Sequence, residues 1–211
     1  MSQKIKREVI RITILGDQAV GKTTLRNVYL NIDFEENTLS TVGSNKSETK
    51  YKLEDGKEIK LFLYDTAGQE RFRSIALKSV KNSQGVMLVF DVTNKKSFDS
   101  LVKWLEDIKE EDNNFSMILF GNKCDLPNRE VSEEEAENFA KKNNIPYMET
   151  SAKLKTNTDE GISILVNDAY KKYGEAKGVS LKKKEKTKKK FLLSLYVCKL
   201  KVLHLCRLKV L

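Results

Sequence analysis

The sequence predicts an α/β domain with a mostly parallel six-stranded sheet and helices on both faces. Three observations carry the prediction. Short apolar runs alternate with amphipathic stretches along the chain, which marks βαβ units. Polar turns, several of them glycine-bearing, follow the apolar runs. Only one pair of runs is joined through a tight Asp-Gly turn, the signature of an antiparallel hairpin.

Taken in order, Val9–Leu15 is a β-branched run that reads as a buried strand, and Lys22–Leu30 reads as a helix. Lys50–Leu53 and Ile59–Tyr64 read as strands joined through Glu54–Lys57, with Asp55-Gly56 at the turn. Gly85–Asp91 is a further apolar strand. Ser97–Glu111 follows as a helix with Phe98, Leu101, Leu105 and Ile108 on one face. Met117–Gly121 reads as a strand. Ser132–Lys142 reads as a helix with Ser132 at its cap and Glu135 three residues on, the pattern of a capping box. Pro146–Thr150 is a last strand and Asp159–Tyr173 a last helix. In such sheets ligands bind at the carboxyl ends of the strands.

Charge divides the chain. Its 211 residues carry a net charge of +9. The run Lys182–Lys190, seven Lys and one Glu, supplies +6, and Lys199, Lys201, Arg207 and Lys209 supply +4, which leaves residues 1–181 at −1. A folded part so close to neutral has no general attraction for polyanions, which argues against nucleic acid as its partner. Cys124, Cys198 and Cys206 show neither a disulfide framework nor metal-ligand spacing. The single histidine, His204, lies in the tail, so the folded part has no histidine chemistry. Met1–Glu8 is polar and lacks the apolar centre of a signal peptide, and a reducing cytosolic setting is the expectation.

Gly16-Asp17-Gln18-Ala19-Val20-Gly21-Lys22-Thr23 fits G-x-x-x-x-G-K-[ST] between an apolar strand and a helix. Glycines let backbone approach phosphate, and successive N–H groups at a helix N-terminus bind the anion. Lys22 would reach the β- and γ-phosphates, Thr23 would ligate Mg²⁺, and Thr24 continues the loop into the helix. The plain alternative is a strand–turn–helix connection with a surface lysine. Asn122-Lys123-Cys124-Asp125 follows the strand Met117–Gly121. Asp125 can accept from a guanine ring N–H and its exocyclic amine, donors that adenine does not present there. The Lys123 stem could cover the base, and Asn122 could join this turn to the phosphate loop. Thr150-Ser151-Ala152-Lys153, after another strand, could offer the Ala152 N–H to the guanine carbonyl; the alternative is a helix-capping turn.

Asp65-Thr66-Ala67-Gly68-Gln69-Glu70 follows the strand Ile59–Tyr64. Asp65 can hold Mg²⁺ through water, the Gly68 N–H can reach a γ-phosphate, and Gln69 can orient the attacking water. Thr41, in the polar loop before the second strand, could complete the metal shell only when a γ-phosphate is present. Two loops held by one phosphate and one metal form a bistable element.

With these motifs in hand, residues 7–173 resemble a Ras-superfamily small GTPase, most similar to the Rab family. The Rab-like stretches are Lys60–Tyr64, Arg71–Ile75, Leu88–Thr93 and Trp104–Ile108. The resemblance implies a P-loop G domain and a GTP/GDP switch with slow Mg²⁺-dependent hydrolysis in vesicle traffic. It further implies an exchange factor, a GTPase-activating protein and effectors, and Phe34 packed edge-on to guanine. Gln69, Lys22 and Thr41 are the implied catalytic residues; Thr23, Thr41 and Asp65 the metal set. Departures from the family pattern are Lys46 in place of a Phe, Tyr64 in place of a Trp, Leu77–Asn82 in place of Tyr-Tyr-Arg, and Gln18 where Gly or Ser is common. The first three fall on effector-facing positions and imply atypical partners. Gln18 suggests a second reading, a GTP-binding module deficient in hydrolysis.

The sequence divides into an extension over residues 1–6, the G domain over 7–173, a basic linker over 174–190 and an apolar, basic tail over 191–211. The lysine run suits the anionic cytoplasmic face of an endomembrane, with a solvated linker as the alternative and nucleic-acid contact a weaker third. The chain ends without a prenylation motif: Cys206 is the sixth residue from the end in the order Cys206-Arg207-Leu208-Lys209-Val210-Leu211. Two readings of the tail stand: a divergent membrane contact with Cys198 or Cys206 open to palmitoylation, or translation past the usual end. A monomer is expected.

Overall fold

The computed structural model describes residues 8–35, 41, 43–69, 72–111 and 115–173, with the side chain of Glu111 left aside. The lysine run, the tail with Cys198, His204 and Cys206, the N-terminal extension, Val42, Glu70 and Arg71 lie outside the described residues. The described residues up to Tyr170 form one compact unit, and 171–173 are the described part of a second.

The first strand, β1 (Val9–Leu15), runs into the glycine loop and α1 (Lys22–Tyr29). β2 (Ser44–Lys52) and β3 (Glu58–Thr66) form the antiparallel hairpin, paired from Ser44↔Thr66 to Lys52↔Glu58. Gly56, at φ 83°, makes the turn in the left-handed region that glycine adopts freely. Both strands are longer than the sequence pattern suggests. Ser44–Thr49 is polar because β2 is an edge strand, so only the ladder with β3 reveals it. α2 (Arg73–Val80) has no counterpart in the sequence reading: its apolar residues form no clean stripe, and Phe72 caps it without a side-chain hydrogen bond.

β4 (Gly85–Asp91) is buried along its whole length. The helix expected from Ser97 begins earlier and in two pieces, α3 (Lys95–Asp99) and α4 (Leu101–Glu111), because the Asn94 side chain accepts from Lys96 N and starts the first turn. β5 (Ser116–Asn122) follows. α5 (Glu133–Asn143) is capped by Ser132, whose Oγ accepts from Glu135 N at 3.1 Å. The Glu135 carboxylate pairs with Lys95 Nζ at 2.7 Å, so the cap is one-sided rather than the reciprocal box expected. β6 (Tyr147–Thr150) and a last helix, α6 (158–173), follow, and the helix residues up to Tyr170 complete the first unit.

The sheet order is β2-β3-β1-β4-β5-β6, parallel except for β2. Leu15, Leu88, Phe90 and Leu119 point to one face, where Trp104, Leu105, Ile108, Ala136 and Ala140 of α4 and α5 cover them. The alternate residues Ile12, Ile14, Met87, Val89 and Phe120 are also buried. A Cβ on Gly161 would stand 2.4 Å from the Phe120 ring, and one on Gly85 3.2 Å from Leu165, so α6 seals the opposite face. Burial on both faces explains why the central strands read as continuous apolar runs.

Candidate functional site

Four turns at strand carboxyl ends, those after β1, β3, β5 and β6, meet at one cavity of 520 Å³. β1 leads into the first. Gly16 has φ 140°, and a Cβ there would meet the Val89 carbonyl oxygen at 2.1 Å. Gly21 has φ 97°, and its Cβ would meet Asn122 Nδ2 at 2.2 Å. Only glycine fits either place. Ala19 also adopts a positive φ, 63°. Gly21 caps α1 with no side-chain bond, so the first N–H groups of the helix stand open to an anion. Val20, buried at 1 % exposure, holds the loop to the core.

Lys22 is buried, and its Nζ donates to the carbonyls of Gly16 at 2.9 Å and Asp17 at 2.6 Å. Burial lowers this ammonium from its ordinary 10.5 to about 8, against the opposing pull of Asp65 and Asp17. Thr23 Oγ1 donates to Asp65 Oδ2 at 2.7 Å and lies 3.0 Å from Thr41 Oγ1. Asp65 is fully buried, which raises its carboxyl, partly offset by Thr23, Arg26, Lys22 and Thr41. Its Oδ1 has no hydrogen-bond partner among the described residues. Gly68 lies against the loop: a Cβ there would be 2.4 Å from Asp17 O and from Lys22 Nζ. Gln18, Ala19, Thr24, Phe34 and Gln69 line the cavity with Lys22, Thr23 and Thr41.

At the other end of the cavity, Asn122 Nδ2 donates to Val20 O at 2.9 Å and so joins the third turn's strand to the first loop. Thr150 Oγ1 donates to Asn122 Oδ1 at 3.3 Å, and Ser151 Oγ to Asp125 Oδ1 at 2.6 Å. Lys123, at φ 65°, stretches its ammonium to Asp91 Oδ2 at 2.5 Å. Asn122, Lys123, Asp125, Ala152 and Lys153 line this part. Ser151 is buried and acts on Asp125 from behind. Of the expected site residues, Gly16, Asp17, Val20, Asp65 and Ser151 do not line the cavity and act on it through their neighbours.

Sequence reasoning missed three residues. Asp91, at the end of β4, fixes Lys123 and accepts from Thr93 N and Oγ1. Trp104 Nε1 donates to Asp17 Oδ1 at 2.8 Å while the Arg73 guanidinium lies 3.8 Å from its ring centroid and pairs with Asp107. Arg26 Nη1 approaches Asp65 Oδ2 at 3.3 Å. The only local signal for any of these was the placement of Asp91 at a strand end.

Fold and cavity together define a phosphate-loop nucleotide-binding protein of the parallel α/β kind. Residues 11–171 match the Ras family. The chain is 42 % identical over 167 residues to the mouse Ras-related protein Rab-39A, covering 76 % of this chain and 77 % of that protein. It is 39 % identical over 166 residues to Rab-8B of Pongo abelii, covering 78 % and 80 %. To RABA4d of Arabidopsis thaliana it is 38 % identical over 165 residues, covering 77 % and 74 %. The chain belongs to the Ras family and is a Rab-like small GTPase, a GTP-hydrolysing GTP/GDP switch of membrane trafficking. Proteins of this family bind guanine nucleotide, typically with Mg²⁺, and work with exchange factors, GTPase-activating proteins and effectors.

Proposed function

We infer that this chain holds GTP and GDP in the 520 Å³ cavity, with the base between Asn122–Asp125 and Ser151–Lys153 and the phosphates on Gly16–Thr24. The observation that supports this most is the convergence of Lys22, Thr23, Thr41 and Gln69 with Asn122, Asp125 and Ala152 on one cavity. Asp125, oriented by Ser151, accepts from the guanine N–H donors, and the Ala152 N–H donates to its carbonyl. Phe34, 36 % exposed at the rim, covers an edge of the base.

The hard oxygens of Thr23, Thr41 and Asp65, one carboxylate oxygen buried and without a partner among the described residues, suit Mg²⁺. Thr23 and Thr41 would ligate the ion and Asp65 would hold it through water. When bound, the ion supplies neutralisation of phosphate charge. Lys22 turns its ammonium to the β- and γ-phosphates, the Gly68 N–H reaches the γ-phosphate, and Gln69 orients the attacking water. Without an arginine at the phosphates from this chain's motifs, turnover is slow until a partner's Arg raises it by about 10³–10⁵.

We also assign residues 7–173 to the G domain, with the lysine run as a contact to the cytoplasmic face of endomembranes and the switch acting as a monomer. No helix among the described residues is long and apolar enough to cross a membrane. The opposing reading, a module that binds GTP without hydrolysing it, is favoured by Gln18 at the cavity wall. Single-turnover hydrolysis of radiolabelled GTP by the full chain separates the two. Hydrolysis in the wild type, at least about tenfold slower in Gln69→Leu, upholds the switch chemistry. Intact GTP in the wild type, with hydrolysis gained in Gln18→Gly, establishes the module.

A further inference from the structure

Arg26 stands where only the fold can place it. Thr23, Arg26 and Asn27 lie three and four positions apart on α1 and share one face of the helix. Arg26 Nε and Nη2 both donate to Asn27 Oδ1, at 3.1 and 2.6 Å, which fixes the plane of the guanidinium. Nη1 is thereby aimed at Asp65 Oδ2, 3.3 Å away. The side chain of Arg26 is 13 % exposed and that of Asp65 is 0 % exposed, so water screens this pair poorly. The same carboxylate oxygen takes the Thr23 hydroxyl, while the opposite oxygen has no partner among the described residues.

The bland account of Arg26 is a cation in the last turn of α1, favourable to the helix dipole. That account would leave the side chain in water. Here it is held by Asn27 and set against the buried carboxylate that also takes the hydroxyl of Thr23, a residue at the phosphate end of the cavity. Guanidinium is the group suited to such a half-buried pair, because it stays charged and offers several donors in one plane.

We propose that Arg26 is a built-in cation of the phosphate end, which partly neutralises Asp65 through the oxygen it shares with Thr23 and so lowers the dependence of nucleotide retention on Mg²⁺. Asp65 already faces one positive charge, so the divalent ion gains less by arriving and its removal costs less. Arg26 does not touch the nucleotide; it is a positioning residue that works through Asp65.

This inference rests on the assignment of Thr23, Thr41 and Asp65 to the metal, and the test separates the two. The rate of GDP release from the full chain is measured with Mg²⁺ and with excess EDTA, and the ratio of the two rates is compared between variants. Arg26→Gln raises the EDTA-to-Mg²⁺ ratio by about tenfold over wild type, a modest share of the interaction between near charges in a poorly screened site. Arg26→Lys, which keeps the charge, stays within about threefold of wild type, a rescue that loss of packing alone would not give. Equal ratios in wild type and Arg26→Gln overturn the inference while leaving the metal assignment standing. A release rate indifferent to Mg²⁺ in both overturns the metal assignment and the inference with it. If Arg26→Gln does not fold, Asn27→Ala decides: it leaves the ion pair's charges in place but removes the carbonyl that aims the guanidinium. A raised ratio in Asn27→Ala supports the inference, and an unchanged one overturns it.

Discussion

The two ends of the cavity are built differently. At the base end, each side chain is held by another part of the fold: Asn122 by Val20 and Thr150, Asp125 by Ser151, and Lys123 by Asp91. The bonds there run between neighbouring strand ends, with β4, β5 and β6 paired in register up to Asp91, Asn122 and Thr150. At the phosphate end the contacts gather on two buried charged groups instead: Lys22 on two carbonyls, and Asp65 under Thr23 and Arg26, with Gly68 pressed on the loop. The base end is preformed, which suits recognition of one base in either state. The phosphate end stores charge whose arrangement a phosphate or a cation can change, which suits a switch.

Substitutions at the two ends sharpen this comparison. The largest effect is expected from Asp125→Ala, which removes the acceptor for guanine. Competition between GDP and ADP should show the preference for GDP falling by about a thousandfold or more, because a polar pairing site rejects an unmatched analogue strongly. Asn122→Ala comes next. It leaves the Val20 carbonyl without its donor and unlinks the two ends, costing about 2 kcal/mol in thermal stability and weakening both GDP and GTP alike. Loss of affinity for GTP alone would break the view that Asn122 serves both states.

A smaller effect follows from Lys22. Without phosphate its ammonium loses its proton near pH 8, whereas adjacent phosphates favour the charged form. Nucleotide binding above pH 8 therefore takes up a proton. The affinity for GDP should fall as pH rises, by about tenfold between pH 7 and 9, in equilibrium titrations. A flat profile would show that Lys22 is charged in the free protein. The same depressed value makes the nucleotide-free fold gain stability as pH climbs from 8 towards 10.5 and lose it as pH falls through 8.

The smallest effect is expected at the linkage between Asp17, Trp104 and Arg73. Trp104→Phe keeps the ring beneath Arg73 but deletes the donor to Asp17. Hydrolysis should slow by about fivefold, with GDP affinity nearly unchanged, as expected when a hydrogen bond positions Asp17, against which Gly68 lies, rather than binding nucleotide. Equal losses in both would make Trp104 a packing residue of the loop.

Much of the site was legible in the sequence because its chemistry is local. Gly16, Gly21 and Lys22 lie within one turn, and the backbone that they need is fixed by close approach to Val89 O and Asn122. Asn122–Asp125 and Thr150–Lys153 each follow a strand and need no distant residue to be recognised. The helix α2 and the first half of β2 were not legible, since a polar edge strand and a weakly striped helix gain their identity from the β3 ladder and from packing on α4.

What the sequence determined alone is the ligand class: glycine conformations, a lysine and the strand-end turns are short-range features that chemistry interprets directly. What only the tertiary structure decided is which charges face each other across the chain. Arg26 meets Asp65 over 39 residues, and Trp104 meets Asp17 over 87. Both meetings follow from β1 lying between β3 and β4 in the sheet, which brings α1 beside the end of β3 and Asp17 of the glycine loop against Trp104 of α4. No periodicity or local spacing encodes that order, because long-range pairing is fixed only when strands and helices bury their apolar faces together.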